Sequence, residues 1–115
     1  MRYSVSTTKD YDHAILDPET GCWWLKQNIT AFTGLCQVRA DRDEFFGGEK
    51  SRDFRSKILL NPTWRQLFAV AKKQQETTRD LHHDFFEGFV DTGKDDMMLH
   101  PNHLPVRVIK LLLGS

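Results

Sequence analysis

The run Asn61-Pro62-Thr63-Trp64-Arg65-Gln66-Leu67-Phe68-Ala69-Val70-Ala71 carries the strongest secondary-structure signal in this 115-residue chain. Asn61 suits a helix N-cap, because its side-chain oxygen can accept an orphan N–H of the first turn, and Pro62 fits the first helical position, where its missing N–H costs nothing. Trp64, Leu67, Phe68 and Ala71 then fall at i, i+3, i+4 and i+7, one apolar stripe two turns long. A helix that lays this stripe on a core is expected to start there.

Downstream, Lys72 to Arg79 offers no apolar group beyond threonine methyls, and Leu81, Phe85, Phe86, Phe89 and Val90 resume the pattern. The expectation is one long helix running exposed through the polar stretch, or two helices broken near Thr77-Thr78. Asp91-Thr92-Gly93 would end it, with Gly93 as the left-handed residue after the last turn. His100-Pro101-Asn102-His103-Leu104-Pro105 reads as irregular, since each proline disfavours helix before it. Val106-Arg107-Val108-Ile109-Lys110-Leu111-Leu112-Leu113 reads as a β-branched strand that becomes apolar on both faces, hence interior to a sheet or an interface.

Upstream, Tyr3, Val5 and Thr7 alternate with polar neighbours and suggest a short strand. Ala14-Ile15-Leu16 and Cys22-Trp23-Trp24-Leu25 flank Asp17-Pro18-Glu19-Thr20-Gly21, whose Asp, Pro and Gly supply turn chemistry, so a β-hairpin is expected. Between residues 28 and 38, Ile29, Phe32, Leu35 and Cys36 fit a short helix, while Thr30, Phe32 and Val38 fit a strand, and both readings stay open. The charged segment 39–57, with Gly47-Gly48 inside it, reads as a connector containing a helical turn, and a helix is expected to begin within Arg52 to Leu60. The fold class is therefore α+β, as a single compact domain over residues 1–115. A small, mainly antiparallel sheet, built from the N-terminal hairpin and the C-terminal strand, would pack against one long or two shorter helices.

Composition narrows the class of protein. With 39% apolar residues, 28% charged residues and eight Phe, three Trp and two Tyr, the chain matches folded globular usage. The longest apolar runs, Ile58-Leu59-Leu60 and Leu111-Leu112-Leu113, fall far short of the roughly 20 residues of a membrane-spanning helix. No apolar stretch after Met1-Arg2 resembles a signal-peptide core, so a soluble, cytoplasmic protein is expected. Cys22 and Cys36 are spaced neither as a CxxC redox pair nor as a zinc framework, and reduced thiols follow. The 16 basic and 16 acidic residues cancel overall but not locally. Residues 39–79 hold ten basic and six acidic side chains, whereas 80–103 hold one and six, which signals either a charged partner or two segments that face each other.

Four constellations bear on chemistry. Val90-Asp91-Thr92-Gly93 resembles the signature around the catalytic carboxylate of retroviral-type aspartic proteases. Lys94 stands where that family carries a small residue, only 22 residues follow Gly93, and the preceding pattern is helical, so the segment reads as a helix C-terminal turn. Second, His82, His83, His100 and His103 lie close to Asp80, Asp84, Glu87, Asp91, Asp95 and Asp96. On a helix His83 and Glu87 would share one face, and with His100, His103 and Asp80 or Asp84 they could ligate Zn, Mn or Fe. Third, Lys50, Arg52, Arg55 and Lys57, continued by Arg65, Lys72, Lys73 and Arg79, form a basic stretch suited to phosphates or to an acidic protein. Fourth, Trp23-Trp24 and Phe45-Phe46 are adjacent aromatic pairs; neighbours in a strand face opposite sides, so one of a pair needs cover either from a subunit interface or ligand pocket or from a second layer such as the 62–79 helix.

The leading expectation is a small, non-catalytic accessory or regulatory protein, homodimeric, that binds a protein partner. Trp23, Trp24, Phe45 and Phe46 would supply apolar contact, and Arg52, Arg55 and Lys57 would face an acidic surface. The second reading is a metal-binding protein or metal-dependent enzyme using His83, Glu87, His100 and His103. A third is nucleic-acid binding through residues 50–73.

Overall fold

A computed structural model describes residues 2–3, 14–16, 23–44, 48–79 and 85–114. In chain order these form β1 (Arg2–Tyr3), β2 (Ala14–Leu16), β3 (Trp23–Leu25), β4 (Leu35–Ala40), a 3-10 turn at Arg42–Glu44, β5 (Phe54–Arg55), β6 (Leu59–Leu60), α1 (Trp64–Thr78), β7 (Phe85–Asp96) and β8 (Val106–Gly114). The main sheet runs β1-β7-β8-β4-β5, with β6 also paired to β4. It is mixed: β1/β7 and β4/β8 are parallel, whereas β7/β8, β4/β5 and β4/β6 are antiparallel.

The α+β class and the C-terminal strand are as the sequence implies, and β8 lies inside the sheet between β7 and β4. The hairpin forms too, with Ala14 opposite Leu25 and Leu16 opposite Trp23. It makes a separate two-stranded sheet rather than joining the C-terminal strand. Its turn residues, with Val5 and Thr7 of the expected first strand, lie outside the described residues.

Helix α1 begins two residues later than the sequence suggests. Thr63, not Asn61, is the N-cap: its hydroxyl accepts the Gln66 N–H while the Gln66 side chain accepts the Thr63 N–H, a reciprocal capping box. Asn61 is diverted into a left-handed conformation at φ 46°, where its Oδ1 accepts the Gly34 N–H and its own N–H donates to the Gly34 carbonyl. The Trp64 and Arg65 N–H groups, orphans of the first turn, donate to the carbonyls of Ile29 and Gln27. Segment 26–34 therefore serves the helix start and is neither helix nor strand before Leu35.

The helix ends once, at Thr78. Thr77 and Thr78 turn their hydroxyls back onto the Lys73 and Gln74 carbonyls, and Arg79 takes the left-handed cap position with its N–H on Gln75. No second helix follows among the described residues, because Phe85–Asp96 is a strand. Phe89 and Val90 are neighbours on opposite faces: Phe89 packs toward the core and Val90 is exposed. Asp91-Thr92-Gly93 is accordingly not a helix stop but part of a wide irregularity in β7. Asp91 faces Ile109 and Asp95 faces Arg107, so four steps on β7 span two on β8. Gly93 at φ 77° makes the excursion without strain, and the Thr92 hydroxyl bonds the Val108 carbonyl across it at 2.7 Å.

The helix expected within Arg52 to Leu60 is likewise replaced by two short strands along the outer edge of β4. Arg39 pairs Arg55 and Cys36 pairs Leu59, so three steps on β4 span four on the partner. Ser56 fills the resulting bulge. Its N–H donates to the Val38 carbonyl, and its hydroxyl accepts the Val38 N–H at 2.9 Å, standing in for the missing ladder carbonyl. The core lies between this sheet and α1: Cys36, Val38, Ala40, Phe54, Leu59, Ile109 and Leu111 against Trp64, Leu67, Val70 and Ala71. Trp64 also meets the rings of Phe32 and Phe68 at 6.2 and 6.5 Å between centroids.

Two substitutions test this account by urea denaturation. Ser56→Ala leaves the buried Val38 N–H without its acceptor and should lower stability by about 1–3 kcal/mol. Gln74 is almost fully buried on α1, and its Oε1 has no partner. Gln74→Met should therefore raise stability, by about 1 kcal/mol.

Candidate functional site

The end of the sheet where β7 turns into β8 gathers the ion pairs of Asp91, Asp95 and Asp96 with Arg107 and Arg39. Arg107 lies at the start of β8 in register with Cys36, on the same row as Ile109 and Leu111. Its guanidinium bonds Asp91 through Nη1 and Asp95 through Nε. The two carboxylates raise its pKa above the usual arginine value, so it stays charged. This pairing clamps the two ends of the β7 irregularity, since Asp91 and Asp95 bracket it. Asp91 also accepts the Gly93 N–H at 2.8 Å, so the Asp-Thr-Gly sequence is used to brace a bulge.

Two open depressions flank this clamp. One, of about 410 Å³, is lined by Arg39, Arg55, Lys94, Asp96, Met97 and Lys110 among others. The other, of about 330 Å³, is lined by Phe32, Asp91, Asp95, Pro105 and Arg107. Their charges are largely matched, through Arg39 with Asp96 and Arg55 with Asp41. Cys36 is fully buried; burial, with Asp91 adding to it, pushes its thiol pKa up while Arg107 opposes. A protonated, inaccessible thiol is not a nucleophile.

Residues 97–105 close the hairpin and are braced from within. Asp96 accepts the Met98 N–H at 2.8 Å, the His103 N–H reaches the His100 carbonyl at 2.9 Å, and the His103 Nδ1 lies 3.3 Å from the Met97 carbonyl. The Asn102 N–H donates to the His100 Nδ1, which requires that nitrogen to be unprotonated, and His103 must carry a proton on Nδ1 to bond a carbonyl. With the backbone held, the apolar side chains point outward: Met98 is 78% exposed, Met97 48%, Leu104 46% and Leu99 37%.

Set against the sequence, the metal reading loses its geometric premise. Glu87 lies in β7, so the helical i, i+4 relation with His83 does not exist, and His83, Asp80 and Asp84 lie outside the described residues. His100 and His103 are joined by a backbone bond alone, while their rings bond the Asn102 N–H and the Met97 carbonyl. Among the described residues no three His, Cys, Asp or Glu side chains converge as cation ligands. Of the basic trio, Arg52 donates to the Glu49 and Ser51 carbonyls of its own loop, and Arg55 donates to the Ala40 and Phe54 carbonyls and to Asp41, which fastens β5 to the end of β4. Lys57 is exposed. Trp23 and Trp24 sit in β3, and Phe45 and Phe46 lie outside the described residues.

The exposed tip escaped the sequence reading, although Met97-Met98-Leu99 inside a segment of turn chemistry was a signal. Consecutive apolar residues in a loop have no core to enter. Comparison with known protein families, curated proteins and solved structures finds no match to this chain. No helix among the described residues is long and apolar enough to cross a membrane.

The Asp96 carboxyl ties the tip to the sheet, and the Arg39 guanidinium, helped by the Met98 N–H, holds its pKa below the usual carboxylate value. A lowered folded pKa contributes stability above the unfolded value of about 3.9 and loses it as pH falls through the folded one. Thermal unfolding followed below about pH 4 should therefore decline more steeply in the wild type than in Asp96→Asn.

Proposed function

We propose that this protein is a non-catalytic accessory protein that binds a macromolecular partner through the tip of the β7–β8 hairpin, in the cytoplasm. The observation that carries the reading is the outward display of Met97, Met98, Leu99 and Leu104 on a loop whose backbone is already fixed. A flexible loop would lose much of the gain to ordering, whereas a braced one presents its apolar area at little entropic cost. Burying such a side chain fully is worth about 1.5–3 kcal/mol, so the four together supply several kcal/mol toward association and the rest of the contact must supply the remainder. Unbranched methionines adapt to irregular apolar pockets, which suits a protein partner. A second copy of the chain is one such partner, in keeping with the homodimer expected from the sequence.

The test compares wild type with Met98→Asp/Leu104→Asp. Both substitutions fall on exposed positions, and the thermal midpoint should stay unchanged. The wild type should capture a defined set of proteins, or dimerise in sedimentation velocity, and the double variant should do neither. Capture and sedimentation that are identical for the two proteins would refute the assignment.

A further inference from the structure

We infer that the outer face of α1 is a second binding surface, independent of the hairpin tip, for the phosphate backbone of duplex DNA. Trp64, Leu67, Val70, Ala71, Gln74 and Thr78 turn inward, and the opposite side of the helix presents Arg65, Lys72, Lys73 and the cap residue Arg79, all exposed. Arg65, Lys72 and Arg79 recur every seven residues, close to two full turns. They therefore form one row with steps of about 10 Å, and Lys73 lies beside it. None of the four makes an ion pair among the described residues, where the pairs formed use Arg39, Arg55 and Arg107.

These cations do little for the fold. Arg65 stands in the first turn, the wrong end for a positive charge, and that turn contains no acidic residue. Lys72 precedes Glu76 by four residues, the weaker order for a helical pair, and the two do not bond. Only Arg79 sits where the helix dipole favours it. Among the described residues Glu76 is the single carboxylate on this face, which leaves an excess of three positive charges there (four minus one). The bias extends to the surrounding layer: residues 48–79 hold eight basic and three acidic side chains, against three and four in 85–114.

The chemistry of the row favours a rigid polyanion. A protein interface needs an apolar centre, and this face offers only Ala69. Single strands are held largely by stacking on aromatic side chains, which the exposed residues of α1 lack. Evenly spaced cations along a helix, without ion pairs among the described residues, instead suit duplex phosphates, with binding independent of sequence.

The test is fluorescence anisotropy with a labelled DNA duplex of ~20 base pairs, titrated between about 50 and 200 mM salt. Expected is affinity in the micromolar range at the lower salt, with a log–log salt slope of about −3 to −4 for four released counterions. Lys72→Glu/Lys73→Glu should weaken binding at least about ten-fold and flatten the slope by about 2. Lys57→Glu/Lys94→Glu makes the same charge change elsewhere and should leave affinity within about two-fold, circular dichroism confirming that both variants fold. No binding at low salt overturns the inference, as does equal loss in the two double variants. Preference for poly-glutamate would assign the face to an acidic polypeptide, and preference for single-stranded DNA would equally refute the duplex.

Discussion

Strand β4 must be hydrogen-bonded on both edges while one of its faces is sealed by a helix, and the rest of the architecture follows from meeting that demand. Cys36, Val38 and Ala40 are almost entirely removed from solvent, so no N–H or C=O along this stretch can fall back on water. On one side β8 supplies a parallel ladder from Cys36 to Val38. On the other, the chain from Phe54 to Leu60 is one residue too long to match β4 step for step. The Ser56 hydroxyl absorbs the surplus by acting as a backbone acceptor for Val38, and the Gln37 side chain bonds the Ser56 carbonyl at 2.8 Å. Without that hydroxyl, the buried Val38 N–H would have no acceptor on this edge.

The position of α1 depends on the same strand. Gly34, just before β4, is locked to Asn61, just after β6, and Pro62 bonds Ala31 through its carbonyl. The segment before β4 thereby comes to lie across the helix start, where Gln27 and Ile29 accept its first N–H groups. The apolar stripe of α1 is thus aimed at β4 and β8 by hydrogen bonds at one end, and packing of Leu67 and Ala71 completes the docking. At the other end, Ser51 donates its hydroxyl to the Thr78 carbonyl and Arg52 its N–H to Thr77. Both helix termini are therefore satisfied by the two segments that flank β4 and β5.

Local chemistry made some of this legible. The stripe from Trp64 to Ala71, the hairpin and the β-branched run from Val106 are each decided by patterns of a few residues, and each appears. Two kinds of feature were hidden. Phe85 to Val90 has apolar spacing compatible with a helix, and only the availability of β8 as a partner makes it a strand. Arg52 to Leu60 likewise forms strands because β4 offers an edge, a fact absent from its own composition. The functional reading suffered in the same way. Arg52 and Arg55 look like a free basic patch in sequence, yet Arg55 bonds the Ala40 carbonyl and the Asp41 carboxylate, which only the fold brings near, and Arg52 bonds carbonyls of its own loop. The exposed tip needed the opposite knowledge, that no second layer among the described residues covers Met97 to Leu99.

The uneven distribution of charge can now be followed to its destinations. Of the acidic segment, Asp96 pairs with Arg39 from the basic one, which is the mutual neutralisation that opposite segments often achieve. Asp91 and Asp95 do not continue that pattern; they turn to Arg107, which lies outside both segments. Arg39 and Arg55 are drawn into pairs with aspartates, while Arg65, Lys72, Lys73 and Arg79 stay without acidic partners among the described residues. Self-neutralisation therefore accounts for the charge near β4 and fails on α1. A protein of zero formal net charge can still carry a strongly positive face. At distances beyond a Debye length of about 8–10 Å the rest of the molecule does little to cancel such a face. Attraction to a polyanion is decided there locally, by the four cations and by the single glutamate among them.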